Sequence, residues 1–167
     1  MKKVAVLMGS GSDWEHMAES VAALDELGIE SIVEVLSAHR SPELVTHFVK
    51  DAEQKGVGAF ICGAGLAAHL AGAVAAQTTR PVLGVPLPAG SLQGLDALLA
   101  TVQMPPGVPV ATFALGKVGA RNAGIFAAQM LALSDPELSV RLREKKEAME
   151  AKVRKDSQSL KDKIGRA

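Results

Sequence analysis

The sequence predicts a three-layer α/β fold, in which helices cover both faces of a doubly wound parallel sheet and a long helix follows at the C-terminus. Short, mostly apolar runs alternate along the chain with longer segments of helical period, which is the order expected of stacked βα units. The chain has 167 residues, of which 48% are hydrophobic. It can therefore bury the core of one compact domain.

Five apolar runs are the predicted strands. Each is short, as strands buried on both faces of a parallel sheet are. We predict strands over residues 4–8, 32–36, 59–62, 82–85 and 110–114.

The predicted helices lie between and after these strands. One apolar helix face, which ends at Gly28, is formed at spacings of three and four residues by Trp14, Met17, Val21 and Leu24. The next helix begins with Ser41 as N-cap and Pro42 at its first position, and runs toward Gly56. Further helices are predicted over residues 67–77, 94–102 and 120–133.

A last helix, rich in Lys, Arg and Glu, opens at a segment that resembles a capping box, Ser134 to Glu137. Its narrow apolar stripe consists of Leu138, Leu142, Met149, Val153, Leu160 and Ile164. Such a stripe packs either on its own domain or on a neighbouring subunit, and both alternatives stay open. We predict one domain over residues 1–167, with a core over 4–133 and a helical extension over 134–167.

Composition limits the partners. The formal net charge is +0, so there is no broad basic field to attract nucleic acid or an anionic membrane. Aromatic residues make up 3% of the chain and Tyr is absent, which leaves few platforms for stacking bases. The expected partner is a small molecule.

The compartment is predicted from cysteine usage and apolar runs. The single cysteine, Cys62, excludes an internal disulfide and suits a reducing compartment. The apolar run after Met1-Lys2-Lys3 is too short for a signal-peptide core, and no run approaches the length of a membrane span. We expect a cytoplasmic protein.

The loop after the first strand, Gly9-Ser10-Gly11-Ser12-Asp13, predicts an anion site. In an open parallel sheet, ligands bind beyond the carboxyl ends of the strands. Glycines there let the backbone approach a phosphate, and the hydroxyls and the following helix N-terminus add donors. A tight turn with Ser12 or Asp13 as a plain N-cap is an equally weighted alternative.

Asp13 indicates a ribonucleotide, and Arg40 is a candidate anion donor, with a solvated surface arginine as the alternative. A carboxylate beside a phosphate cradle suits the hydroxyls of a ribose. Arg40, in the loop after the second strand, supplies a planar two-pronged donor for the phosphate or for a substrate carboxylate.

Two histidines are candidates for proton transfer or substrate contact. His39 lies in the loop after the second strand, and an imidazole can give and take a proton near neutral pH. A structural hydrogen-bonding role is the alternative. His69 is predicted in the first turn of a helix behind Gly63-Ala64-Gly65, where it either contacts substrate or ties the loop down. His16 and His47 are interpreted as structural.

Several cofactor chemistries are disfavoured. The sequence has no close group of metal ligands, no Walker lysine and no G-x-S-x-G elbow. Trp14 replaces the third glycine of a dinucleotide fingerprint. We expect no metal and no organic cofactor.

Separated motifs in a fixed order carry a family resemblance. They are Met8-Gly9-Ser10-Gly11-Ser12-Asp13-Trp14, Ser37-Ala38-His39-Arg40, Gly63-Ala64-Gly65 with Ala67-Ala68-His69-Leu70, Pro81-Val82-Leu83-Gly84-Val85-Pro86 and Val102-Gln103-Met104-Pro105. Through these motifs the chain resembles the class I N5-carboxyaminoimidazole ribonucleotide mutases of bacterial purine biosynthesis, from Val4 to about Leu133.

The resemblance implies a function and a set of site residues. It implies an isomerase that moves the carboxyl group of N5-carboxyaminoimidazole ribonucleotide to C4, by decarboxylation and recarboxylation, with His39 as proton carrier. It also implies a homo-octamer. The implied binding residues are Ser10 and Ser12 for the 5′-phosphate, Asp13 for the ribose, Ser37 and Arg40 on the phosphate side, and Gly63, Ala64, Gly65 and His69 around the carboxyl group.

Three alternatives accompany this interpretation. A carboxylase acting directly on aminoimidazole ribonucleotide is disfavoured because such relatives resemble Ser-Ala-His-Lys where this chain has Arg40. A non-catalytic mononucleotide-binding module of flavodoxin-like fold does not explain His39 and His69. A different mononucleotide substrate is suggested by Leu66, where the family usually has Gly, and by Ala71, where it usually has Pro.

Overall fold

The sheet contains five parallel strands in the order β2-β1-β3-β4-β5. The computed structural model describes residues 3–165, so the ends of the predicted 1–167 domain lie outside the described residues. The strands are β1 Lys3–Met8, β2 Glu30–Val35, β3 Val57–Ala64, β4 Val82–Pro86 and β5 Ala111–Thr112. This strand order is that of flavodoxin-like doubly wound folds. The predicted fold class is confirmed, although β3 is longer and β5 shorter than predicted.

Strand β1, between β2 and β3, is buried on both faces. Side chains alternate across a strand, so Val4, Val6 and Met8 join one core cluster, while Ala5 and Leu7 join the other. The first cluster includes residues of the helices before β2 and after β5, and the second includes residues of the helices after β2 and β3. The sheet is therefore the middle of three layers.

Six α-helices surround the sheet in residues 3–165: α1 Trp14–Asp25, α2 Pro42–Gln54, α3 Leu70–Ala75, α4 Leu95–Val102, α5 Gly116–Ala132 and α6 Pro136–Lys163. The prediction of a helix from residue 67 is wrong. Leu66 and Ala68 have φ angles of 53° and 24°, which no right-handed helix contains. The chain therefore reaches α3 only at Leu70.

Ser41 is the N-cap residue of α2 as predicted, but its predicted side-chain capping bond is absent. The Ser41 side chain does not cap α2: its hydroxyl donates to the Ser37 carbonyl and accepts from the Ser37 amide, both at 3.1 Å. At the start of α6 the N-cap is Asp135 rather than Ser134, because Asp135 Oδ1 accepts from the Leu138 amide at 3.0 Å.

We expect Asp135→Ala to lower the free energy of unfolding by about 1 kcal/mol, because it removes the side-chain acceptor at the start of α6. Denaturant unfolding of the two proteins measures the difference. Asp135→Asn keeps an acceptor and is the matched control. Equal losses in both variants would contradict the capping role.

The long helix α6 packs on the domain only near its beginning. Leu138 is buried and Leu142 packs against the first core cluster. Four later residues of the predicted stripe are exposed on this chain: Met149, Val153, Leu160 and Ile164. The stripe is thus divided between contact with its own domain and an uncovered half.

Cys62 lies in β3, within the second core cluster. Burial raises the pKa of its thiol, so at neutral pH the group is a small apolar side chain rather than a nucleophile. Within residues 3–165, no helix is long and apolar enough to cross a membrane.

Candidate functional site

The loops after β1, β2 and β3 line one open cavity of about 520 Å³ at the carboxyl ends of the strands. Its wall contains nearly all the predicted site residues: Ser10, Ser12, Asp13, Ser37, His39, Arg40, Ala64, Gly65 and His69. Gly63 is the exception. It lies within β3, where a side chain would overlap that of Met17, so its place is behind the cavity wall.

The first loop is organised by Asp13. Its Oδ2 accepts from the Ser10 amide at 2.9 Å, and the Ser12 hydroxyl donates to Ser10 Oγ at 3.0 Å. Asp13 occupies the N-cap position of α1, as the turn alternative predicts, but its side chain makes no capping bond to that helix. The carboxylate thus folds the loop back so that two serine hydroxyls lie together at the cavity wall.

The ionisation of Asp13 is shifted by its surroundings. Burial raises the pKa of its carboxyl above the usual 3.8, against the opposing hydrogen bonds from the Ser10 and Gly9 backbone and the nearby charges of His16 and Arg40. At neutral pH the ionised carboxylate of Asp13 therefore lowers the free energy of unfolding, because burial disfavours its charged form.

We expect Asp13→Asn to increase stability at neutral pH. Because the pKa of Asp13 is higher folded than unfolded, its contribution to stability is complete below 3.8 and is lost as the pH rises through the folded value. The neutral amide avoids that loss and can still accept from Ser10. Urea unfolding at several pH values should show a gain at neutral pH that disappears below 3.8, whereas a pH-independent difference would contradict this account.

Arg40 joins the second loop to the first. Its Nη2 donates to the Gly9 carbonyl at 2.6 Å, and its Nε donates to Ser37 Oγ at 3.2 Å. Ser37 Oγ also accepts from the Arg40 amide at 3.2 Å. The guanidinium is therefore held beside the serine loop, where it adds a fixed positive charge to the hydroxyl donors.

His39 and His69 form a hydrogen-bonded pair. Nε2 of His39 lies 2.6 Å from Nδ1 of His69, and the ring centroids are 4.7 Å apart in an edge-to-face arrangement. Both side chains are exposed at the cavity wall. One of the two nitrogens must carry the shared proton, so each ring constrains the tautomer of the other.

The segment 64–69, which we call the histidine loop, contains a strained turn. The Ala68 amide donates to the Gly65 carbonyl at 3.1 Å, and Leu66 follows Gly65 with a φ of 53°. A left-handed conformation costs an ordinary residue roughly 1–2 kcal/mol. His69 precedes α3 instead of lying in its first turn, which corrects the predicted placement.

A fourth segment, 87–94, adds a wall that sequence reasoning left without a role. We call it the covering loop. The Leu87 amide donates to the Ala64 carbonyl at 2.9 Å, and Ala89 lines the cavity. A Cβ built on Gly65 would lie 2.9 Å from Ala89 Cβ, so the two loops are in direct contact. In the sequence, the feature that could have identified the covering loop as part of the site is its position directly after the fourth predicted strand.

The cavity has two chemically distinct parts. Arg40 and the serine hydroxyls offer donors for an anion, and the histidine pair offers a group that can move a proton. The described residues contain no group of three or more His, Cys, Asp or Glu that could hold a metal ion. The arrangement can bind a phosphorylated molecule and transfer protons on it.

The sequence matches that of known proteins over most of its length. The family described as AIR carboxylase matches residues 3–152. N5-carboxyaminoimidazole ribonucleotide mutase of Saccharolobus solfataricus is 50% identical over 89% of this chain and 93% of that protein. The Bacillus subtilis protein of the same name is 46% identical over 94% of this chain and 97% of its own length.

A solved structure has the same fold. The crystal structure of Treponema denticola PurE superposes with a TM-score of 0.88 at 28% sequence identity, covering 96% of this chain and 99% of that one. The agreement extends over the sheet and its helices.

Proposed function

Because the chain belongs to the AIR carboxylase family, we propose that it is an enzyme that converts N5-carboxyaminoimidazole ribonucleotide to 4-carboxy-5-aminoimidazole ribonucleotide in purine biosynthesis. The relatives named above carry the mutase name. The observation that carries the proposal is the 2.6 Å contact between His39 and His69 in the same cavity as the Arg40 guanidinium. This contact supports the proposal of a proton carrier beside an anion site.

The donors and the histidine pair that line the cavity support one orientation for a bound ribonucleotide. The 5′-phosphate binds at the Ser10 and Ser12 hydroxyls, with Arg40 as counter-charge and Ser37 as its support. Asp13 lies in the same loop and accepts from the ribose hydroxyls. The base then extends toward His39, and its carboxyl group toward the backbone of the histidine loop.

The proposed reaction breaks one bond to carbon and forms another. The N5–carboxyl bond breaks, its electron pair stays on N5, and protonated His39 gives N5 a proton while carbon dioxide is released. The electron pair at C4 then attacks the carbon of that molecule. Neutral His39 removes the C4 proton, so its proton balance is restored at the end of the cycle.

His69 is proposed to set the orientation of His39. Its Nδ1 holds the Nε2 side of the His39 ring, which leaves Nδ1 of His39 for other partners. The hydrogen bond fixes which nitrogen carries the proton, as the orienting partner does in other catalytic groups. The reaction needs no metal or organic cofactor in this scheme.

The same proposal extends to assembly and compartment. The exposed apolar residues of α6, among them Met149 and Val153, support a homo-oligomer, which we propose to be a homo-octamer. The single free and buried Cys62 supports the cytoplasm as the compartment.

A substrate comparison tests the proposal. The purified chain should form the C4-carboxylated product from N5-carboxyaminoimidazole ribonucleotide without ATP or added metal. It should be much slower with aminoimidazole ribonucleotide and bicarbonate. Activity only with aminoimidazole ribonucleotide and bicarbonate would identify a direct carboxylase. Binding of the nucleotides without turnover of either substrate would identify a nucleotide-binding module.

A further inference from the structure

We propose that His16 is a positioning residue for the substrate, because its charge supports the ionised form of Asp13, the carboxylate that accepts from the ribose. This inference rests on the proposed function, which assigns the ribose hydroxyls to Asp13. It gives a role to a histidine that does not line the cavity and that the sequence alone indicates to be structural.

The His16 ring lies in a corner where three segments meet. The residue belongs to α1 and is half-buried. A Cβ built on Gly116, at the start of α5, would lie 3.3 Å from His16 Nδ1 and 3.4 Å from Cδ of Pro88. His16 and Pro88 therefore both adjoin the Gly116 backbone, so the helix that follows the serine loop meets α5 and the covering loop at this ring.

The Nδ1 atom of His16 is an unusual group for such a corner. It is buried, and no side chain or backbone group in residues 3–165 gives it a hydrogen bond. A buried polar atom without a partner costs free energy, whereas a leucine would fill the corner without that cost. A property of the imidazole other than its shape therefore explains its place, and the property that leucine lacks is a positive charge.

Asp13 is the acidic group on which this charge acts. It has right-handed helical backbone angles directly before α1, and residues three apart on a helix are neighbours on its surface. Burial raises the pKa of the Asp13 carboxyl, while the Ser10 amide, the charge of His16 and, more weakly, that of Arg40 lower it. A positive His16 thus favours the ionised carboxylate, which only accepts hydrogen bonds, as the contact with ribose hydroxyls requires.

The charges on the segments beside His16 leave Asp13 as its main acidic partner. Glu15 also interacts with the charge of His16, but it is exposed to solvent and its Oε1 lies 2.9 Å from Lys117 Nζ. Solvent screens such a pair. The covering loop contains no charged residue. The effect of a charge at residue 16 should therefore be measurable at Asp13.

The test measures how binding of the C4-carboxylated ribonucleotide depends on pH. Dissociation constants are determined from about pH 4.5 to about pH 8, a range that lies above the ordinary carboxyl pKa and includes that of an imidazole. Near neutral pH, wild type, His16→Asn and His16→Leu should bind alike, because Asp13 is ionised in each. At the acidic end both variants should bind roughly two- to fivefold more weakly than wild type, the effect of a partly exposed charge pair.

The choice of variants separates charge from packing. His16→Leu fills the corner and removes the charge, whereas His16→Asn removes the charge and leaves a smaller polar group. His16→Lys keeps a positive charge and should bind as wild type does at the acidic end. His47→Asn, on α2 and outside the cavity wall, is the matched control and should also bind as wild type does.

Carbon NMR provides a readout that does not depend on the ribonucleotide. The carboxyl carbon signal of Asp13, identified by its absence in Asp13→Asn, should titrate at a higher pH in His16→Asn and His16→Leu than in wild type. An unchanged titration of Asp13 in both variants, or a loss of binding that is equal at acidic and neutral pH, would overturn the inference. A wild-type protein that binds no ribonucleotide at any pH would instead overturn the proposed function, and the titration of Asp13 would still decide whether His16 acts on it.

Discussion

His39→Asn lowers the rate of isomerisation by roughly 10²–10⁴-fold, the range expected when a general acid–base group is removed. Asn has similar size and can keep a hydrogen bond to His69, but it cannot carry a proton between N5 and C4. Substrate binding should change little, because the proposed phosphate contacts are made by other side chains, those of Ser10, Ser12 and Arg40. Steady-state kinetics together with a direct binding measurement separate the two effects.

A second histidine provides the control for this variant. His47 lies on α2, where its Nδ1 is 2.8 Å from the Glu43 carbonyl, and it does not line the cavity. His47→Asn should keep the wild-type rate. The rate of His69→Asn should lie between those of His39→Asn and His47→Asn. Its kcat should also show a changed pH dependence, because the variant changes the hydrogen-bond partner of His39. A His39→Asn rate close to wild type would remove His39 from the chemistry.

Arg40→Met raises KM by roughly 10–100-fold, since a hydrogen bond to a charged group contributes about 1.5–3 kcal/mol. The methionine keeps an unbranched apolar stem and loses the guanidinium charge that faces the serine loop. Its effect on kcat should be smaller than that of His39→Asn. The KM and kcat of both variants, measured in the same buffer, test the division between binding and chemistry.

The geometry of Arg40 also predicts the order of KM values among variants at this position. Arg40→Lys keeps the charge but cannot donate to both Gly9 and Ser37 as the guanidinium does, so it should be intermediate in KM. Arg80→Met, at an exposed arginine before β4, is the control and should match wild type. A large loss of kcat with unchanged KM in Arg40→Met would assign the residue to the chemical step.

The strands and the loops that form the site could be predicted from the sequence, because local residue patterns determine them. The apolar runs locate the five strands, and the rule that ligands bind at their carboxyl ends selects the loops that contain Ser10, His39 and His69. These loops do line one cavity. The place of these residues in the chain is therefore sufficient to predict that they share a cavity.

The contact between the two histidines could not be predicted in the same way. Strand β1 lies between β2 and β3 in the sheet, so the loops of His39 and His69 are not neighbours and meet across the end of β1. A sequence without a strand order does not contain that information. Long-range side-chain contacts are fixed by packing rather than by propensity.

Details of the loops were missed for local reasons. Ser41 was predicted to cap α2, but its hydroxyl bonds to Ser37, and side-chain competition of this kind is not encoded in spacing. The covering loop had no polar residue pattern to mark it. Leu66 stands where the family usually has Gly, and a branched side chain is expected to oppose a positive φ. In the structure Leu66 nevertheless adopts a φ of 53°.

The most direct test is a crystal structure of His39→Asn soaked with the C4-carboxylated ribonucleotide, which lacks the labile N-carboxylate of the substrate. We expect the phosphate at Ser10, Ser12 and the Arg40 side chain, and the aminoimidazole ring beside residue 39 with its carboxylate facing the histidine loop. A nucleotide bound in the reverse orientation, or outside this cavity, would contradict the account.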